Sequence, residues 1–328
     1  MTRAHPTRFA MLPALCLAGC GGRQSVLNPE GPEALQLTQL SWLLFAFGTI
    51  VLVVVVLAAA MAIRGPLGVR AMLASAHSVV WGGIVFPAVT LTLLLAYGIW
   101  LTRATVARDN SGALGIEVIG EQWWWRVAYS RSDGTVAAAN EIRIPVGRPV
   151  LFKLSSADVI HSFWVPNLGG KVDMIPGRIT YLRLQADRPG VFRGQCAEYC
   201  GGPHALMALE VVALAPLDFE AWLEGQAGPA REPYSPIEQR GSELFLAAGC
   251  GACHAVRGTP AAGTVGPDLT HLGSHRSVGL DTLALTQANI KKFIRDGQHI
   301  KPGNKMPPFA IFADADLDAI AAYLVSLK

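Results

Sequence analysis

Cys196-Ala197-Glu198-Tyr199-Cys200-Gly201-Gly202-Pro203-His204-Ala205-Leu206-Met207 gathers two thiols, an imidazole and a thioether into 12 residues. Donors of this soft and borderline mix select copper. Three other uses fit the stretch less well. A disulfide across C-x3-C is short and strained, and it leaves His204 and Met207 idle. Zinc accepts Cys and His but seldom Met. A mononuclear blue-copper site takes one Cys, where this loop offers two. Two bridging thiolates suit a pair of copper ions.

Outward from this loop, Gly115 to Leu214 carries short β-type runs broken by Gly, Pro and Asp turns: Ile116–Ile119, Glu141–Val146, Val150–Leu154, Thr180–Leu184 and Leu209–Val212. The pattern predicts a small all-β sandwich over 110–215. Residues 216–236, rich in Ala, Gly, Pro and Glu, read as a short helix followed by a linker. From 237 to 328 apolar residues recur at three- and four-residue spacing near 237–248, 286–297 and 314–327, which predicts an all-α domain. Asp314, Asp316 and Lys328 suit the dipole of the last helix.

Within that helical part, Cys250-Gly251-Ala252-Cys253-His254 is a C-x-x-C-H haem c attachment signature. The two thiols reach the vinyl groups of one porphyrin edge, and His254 falls beneath the iron as an axial ligand. Met306, in a Pro/Gly loop rather than on a helical stripe, is the second axial ligand, a choice that raises the potential. The segment resembles a class I cytochrome c. Gly241 and Phe245 match its first helix, Gly266-Pro267-Asp268-Leu269 the loop after the haem motif, and Tyr323-Leu324 the last helix. The resemblance implies that the Pro267 carbonyl orients the His254 imidazole. Phe293 stands where many relatives have Trp.

Hydrophobic residues make up 51% of the 328, against 16% charged, and the excess lies in the first hundred. Leu40–Ile63 and Val79–Leu101 lack charge. At about 1.5 Å per residue each exceeds the roughly 30 Å of a bilayer core. The expected division is a transmembrane hairpin of 39–64 and 79–102, joined by a cytoplasmic loop 65–78. Arg3, Arg8 and the apolar run to Leu17 read as a signal peptide, 1–19. Leu17-Ala18-Gly19-Cys20 resembles a bacterial lipobox, so Cys20 is expected to carry lipid at the head of an anchored segment 20–38. That places the later domains on the outer face of a bacterial inner membrane. A net charge of +3 without a Lys/Arg cluster excludes a nucleic-acid partner.

The motif C-x-E-x-C-x3-H-x2-M resembles the dinuclear copper A loop of cytochrome c oxidase subunit II, and that of nitrous oxide reductase. Asp158-Val159-Ile160-His161-Ser162-Phe163-Trp164-Val165-Pro166 continues the match, as do Lys171, Asp173 and Pro176-Gly177-Arg178. The resemblance implies a cupredoxin-like fold in which Cys196 and Cys200 bridge both coppers. His161 and Met207 complete one, and His204 with the Glu198 carbonyl completes the other. It also implies a magnesium ion on the Glu198 carboxylate, shared with subunit I, and an electron route that enters at Trp123 of Trp123-Trp124-Trp125. At least one of those three indoles is expected to pack the sandwich instead.

The implied function is a relay in a proton-pumping oxidase with subunits I and III. Haem c takes electrons from a cytochrome c or a quinol–cytochrome c reductase, and the copper pair hands them to subunit I for reduction of O2 to water. Three residues before Trp81, where many relatives carry a Glu of a proton path, this chain has His77-Ser78. Either the route is altered or His77 serves it. A nitrous oxide reductase would need a large His-rich domain and no paired spans. A quinol-oxidase relative would lack the copper donors, and a free-standing membrane carrier would not co-purify with a polytopic haem subunit. The six Cys are all assigned: Cys16 to the signal, Cys20 to lipid, two to copper and two to haem.

Overall fold

The computed structural model describes residues 22–106, 110–132 and 134–328. The signal segment and Cys20 lie outside the described residues. The chain divides into two compact units, Gln36–Ser111 and the remainder.

Helix α1, Pro32–Arg64, is long and apolar enough to cross a membrane, with mean hydropathy 2.9 in its best window. It starts before the expected 39, because Pro32 suits a first helical position and Glu33 complements the N-terminal dipole. Glu33 also pairs with Arg183 of the sandwich. Part of the expected 65–78 loop is helical, as α2, Leu67–Leu73. The second span is a run of α3 (Ala76–Val80), a π-turn (Trp81–Val85) and α4 (Phe86–Val106). Pro87 accounts for the π-turn: it has no N–H, and its ring crowds the carbonyl four residues back, so the preceding turn widens. Ser75 caps α3 by accepting from the Ser78 N–H.

Ten strands form two five-stranded sheets: β1 Leu114–Glu121, β2 Trp124–Arg131, β3 Gly134–Ala139, β4 Glu141–Pro145, β5 Val150–Ser156, β6 His161–Trp164, β7 Val172–Met174, β8 Thr180–Leu184, β9 Gly190–Cys196 and β10 Ala208–Leu214. One sheet runs β3-β2-β1-β5-β8, the other β4-β10-β9-β6-β7. Each contains one parallel pair, β1 with β5 and β10 with β4. Strand β1 alternates buried and half-buried residues, so Ile116 and Val118 face the opposing sheet and join its Phe163 and Val211, with Trp125 of the neighbouring β2, in one core. This is the small β-sandwich expected from the alternating runs, with the cupredoxin-like fold that the resemblance implied.

Residues 216–236 are less of a linker than expected. Helix α5, Pro216–Ala227, buries Phe219 and Leu223 in the sandwich core, and Trp222 meets Tyr129 edge-on at 5.1 Å. Only the stretch 228–235 connects it to the helical domain. There α6, Pro236–Ala247, opens on a capping box in which Ser235 Oγ accepts from Glu238 N–H. Helices α7, Gln287–Ile300, bent at Asp296, and α8, Asp314–Ser326, follow. A Cβ on Gly241 of α6 would lie 2.0 Å from the Ala319 carbonyl of α8, so the two helices cross there. Phe245 and Tyr323 stack edge-on across the same crossing at 5.8 Å. Their cluster, with Leu317, Ile320 and Leu324, is a second hydrophobic core.

Candidate copper and haem sites

Three neighbouring strands supply the copper donors at one rim of the sandwich. β6 begins with His161, β9 ends with Cys196, and β10 begins just after Met207. The loop between β9 and β10 is closed at its base, because Cys196 N–H donates to the Met207 carbonyl at 2.8 Å. His204–Leu206 forms a turn of 3-10 helix within it. The chain therefore folds back on itself and turns four donors inward.

The donors converge. Ligand atoms of His161, Cys196 and Cys200 lie within 4.8 Å of one another, and all three residues are buried. Cys196 Sγ is 3.7 Å from His161 Nδ1 and 3.2 Å from the Glu198 carbonyl. Cys200 Sγ is 3.4 Å from His204 Nδ1 and 3.7 Å from Met207 Sδ. Every donor named from the sequence is thus within reach of one or other thiol. The Glu198 residue is exposed, so its carboxylate is available to a neighbour while its carbonyl faces the thiols.

The electrostatics prepare the thiols for metal. Cys200 donates to Cys196 and holds that thiol far below its ordinary range, at about 4, while Cys200 itself is raised by keeping the shared proton. Burial works to lower His161, but hydrogen bonds to Cys196 and Asp158 outweigh it and the imidazole is raised. Asp158 accepts from His161 Nε2 at 2.8 Å and also receives the Gln122 N–H at 2.7 Å. The soft, buried, preassembled donor set fits copper.

The three indoles separate. Trp125 is wholly buried and packs the core, with its N–H on the Ala208 carbonyl at 2.9 Å. Trp124 lies beneath the Arg126 guanidinium, 4.7 Å from ring to carbon. Trp123 is half-buried and donates from Nε1 to the Cys200 carbonyl at 2.9 Å.

In the helical domain Cys250 is half-buried, Cys253 exposed, and His254 half-buried between them and the following loop. Burial lowers the His254 pKa, which keeps a nitrogen free for a metal. Its Nδ1–H donates to the Pro267 carbonyl at 2.8 Å, leaving Nε2 as the ligating atom. A Cβ at Gly266 would lie 2.5 Å from the imidazole, so only Gly fits beside it. Met306 packs with Cys250 and Leu269 against the second core. Two attachment thiols, an imidazole oriented by Pro267, and a thioether packed with Cys250 on the second core fit haem c.

Sequence reasoning assigned no role to Asp158 or Lys301. The i, i+3 spacing of Asp158 and His161 was a visible signal for the first. For Lys301 the sequence offers none. Lys301 is 3% exposed, and burial pulls its pKa down to about 7, opposed by the nearby Cys200.

Residues 131–214 match the family described as cytochrome C oxidase subunit II, periplasmic domain, and residues 238–328 match cytochrome c. The chain is similar to cytochrome c oxidase subunit 2 of Alkalihalophilus pseudofirmus, 36% identical over 329 residues, which cover 96% of this chain and 94% of that one. With the Bacillus subtilis subunit 2 it shares 31% over 255 residues, 75% and 70% of the two chains. Among solved structures it is similar to the periplasmic domain of subunit II of cytochrome oxidase from Bradyrhizobium japonicum, at 33% identity and a TM-score of 0.33, covering 34% of this chain and 92% of that one.

A copper-binding cupredoxin-like sandwich, a haem-binding cytochrome c domain and two apolar helices define a membrane-anchored electron-transfer protein. The chain belongs to the cytochrome c oxidase subunit 2 family. It is subunit II of a haem–copper oxidase and a partner of subunit I.

Proposed function

We propose that this subunit relays electrons from a respiratory donor, a cytochrome c or a quinol–cytochrome c reductase, to subunit I of a proton-pumping bacterial oxidase that reduces O2 to water. Cys196 and Cys200 would together hold two copper ions. His161 and Met207 would serve one of them, and His204 with the Glu198 carbonyl the other. Cys250 and Cys253 would attach haem c, and His254 and Met306 would hold its iron. Bound in these places, copper and haem supply reversible one-electron chemistry.

The chain's own contribution is orientation. Asp158 accepts a hydrogen bond from His161 Nε2–H, leaving Nδ1 toward the thiols. Pro267 does the reverse for His254, taking Nδ1–H and freeing Nε2. Ligands fixed in this way move little when charge changes, so little reorganisation opposes transfer. Trp123, bonded to the Cys200 carbonyl, is where electrons enter the copper domain. The exposed Glu198 carboxylate serves a magnesium ion at the subunit I face, and subunit III completes the complex. Cys20 carries lipid, and both exported domains stand outside the inner membrane.

The gathering of His161, Cys196 and Cys200 donors within 4.8 Å, with Met207 and His204 beside them, carries this reading. Metal and haem analysis of the detergent-solubilised chain tests it. Two coppers sharing one unpaired electron and one alkali-stable haem are expected. A single metal ion, or zinc taken in preference to copper, overturns it.

A further inference from the structure

The loop that presents Met306 does not stop at the haem domain. Lys301 Nζ reaches across to the copper domain and donates to the Trp123 carbonyl at 2.6 Å. Trp123 Nε1 in turn donates to the Cys200 carbonyl at 2.9 Å. On the other side, the Lys301 carbonyl accepts from Asn304 Nδ2 at 2.8 Å, and Asn304 Oδ1 accepts the Met306 N–H at 2.9 Å. An unbroken series of four hydrogen bonds therefore joins the backbone of Met306 to the backbone of Cys200, through Asn304, Lys301 and Trp123.

The surroundings hold this series in place. A Cβ on Gly303 would come within 3.3 Å of the Trp123 indole, so the loop lies flat on the ring, and the φ of +83° there favours Gly. Gln298 ties the loop internally, donating to the Met306 carbonyl at 3.0 Å and accepting the Gly303 N–H at 3.0 Å. Away from Trp123, Arg126 donates to the Thr264 carbonyl and Arg143 to the Ser274 carbonyl, each across the same boundary. Arg193 pairs with Asp281 at 2.7 Å, and Arg276 with Glu210 at 3.2 Å. The amine of Lys301 is the one member of the series that crosses between domains. A buried amine bonded to a carbonyl is costly to detach, because breaking the bond leaves a buried donor without a partner.

We propose that Lys301 is a positioning residue that fastens the Met306 loop onto Trp123, through the series Met306–Asn304–Lys301–Trp123–Cys200, and so sets the distance and coupling between the haem and copper sites. The inference rests on the proposed roles of Met306 and Cys200 as haem and copper ligands. The step it serves moves one electron from ferrous haem to the oxidised copper pair, with no bond made or broken and no proton transferred.

The test uses the whole oxidase in detergent, with Lys301→Met, which keeps the length of the side chain and removes the donor. Copper and haem content and their spectra are measured first. Two readouts follow: the rate of haem-to-copper electron transfer after pulsed reduction of the haem, and hydrogen exchange of peptides covering 121–126 and 298–306. Lys301→Met is expected to slow transfer about tenfold or more and to speed exchange in both peptides. Asn304→Asp, which keeps the acceptor for Met306 and loses the donor to Lys301, is expected to act in the same direction. Transfer and exchange unchanged in both variants overturn the role of Lys301 and leave the relay standing. No transfer in the fully loaded parent protein overturns the relay and this inference together.

Discussion

Asp158 Oδ1 lies 2.8 Å from His161 Nε2, and the opposite nitrogen of the same ring, Nδ1, lies 3.7 Å from Cys196 Sγ. The carboxylate thus selects the tautomer that can bind copper. Asp158→Ala is expected to weaken copper retention by about 10–100-fold, the usual effect of losing a partner behind a ligand. Competition with a copper chelator measures it. Retention equal to the parent's would show that the ring is oriented by packing against Trp125 alone.

At the haem site the corresponding constraint is steric. Gly266→Ala places a methyl 2.5 Å from the His254 ring, and the backbone beside it must move or the imidazole must turn. The expected result is a lower fraction of haem bound in a six-coordinate form, with a destabilisation of about 1–3 kcal/mol. Optical spectra and thermal unfolding of the variant check both.

The crossing of α6 and α8 is tested by Gly241→Ala. The added methyl would meet the Ala319 carbonyl at 2.0 Å, so the helices must separate and unpack Phe245 from Tyr323. A loss of about 1–3 kcal/mol is expected in the cytochrome domain. Copper binding, read by its spectrum, should be unaffected, since the site lies in the other core.

Acid is expected to loosen the segment before α1. Glu30 is held below its ordinary value of 4.5 chiefly by its hydrogen bond with Arg188, with Asn28 assisting and burial opposing. Its backbone is tied to the same domain, as Glu30 N–H donates to the Asn167 carbonyl at 2.7 Å. A carboxyl depressed on folding stabilises in full above its unfolded value. That stabilisation is lost as pH falls below 4.5 through the lower folded value. The protection of residues 22–31 against hydrogen exchange, taken relative to the intrinsic rate at each pH, should fall over that range in the parent and be less pH-dependent in Glu30→Gln. Equal pH dependence in both would remove Glu30 from the account.

Local chemistry was the legible part of the sequence. C-x-x-C-H at 250–254 and the twelve residues from Cys196 to Met207 announce their ligands because the donors are near neighbours in the chain. The sandwich was legible where strands alternate, as in β1 and β5. It was less so for β6, whose four residues are nearly all buried and show no alternation. The short helix expected before the linker is α5, but its packing on the sandwich was not foreseen, although Phe219 and Leu223 at i, i+4 mark a buried face. The bond between Lys301 and Trp123 joins residues 178 positions apart, and no periodicity or motif encodes such a meeting.

The short stretch 228–235 ties the cytochrome domain to α5 and hence to the sandwich. A tether of that kind gives the bound domain an effective concentration on the order of millimolar. Contacts that would leave an untethered partner mostly dissociated at micromolar levels then keep the face occupied. Dilution of the protein does not empty it, and the few polar bonds across the boundary need not be strong to be made nearly all the time.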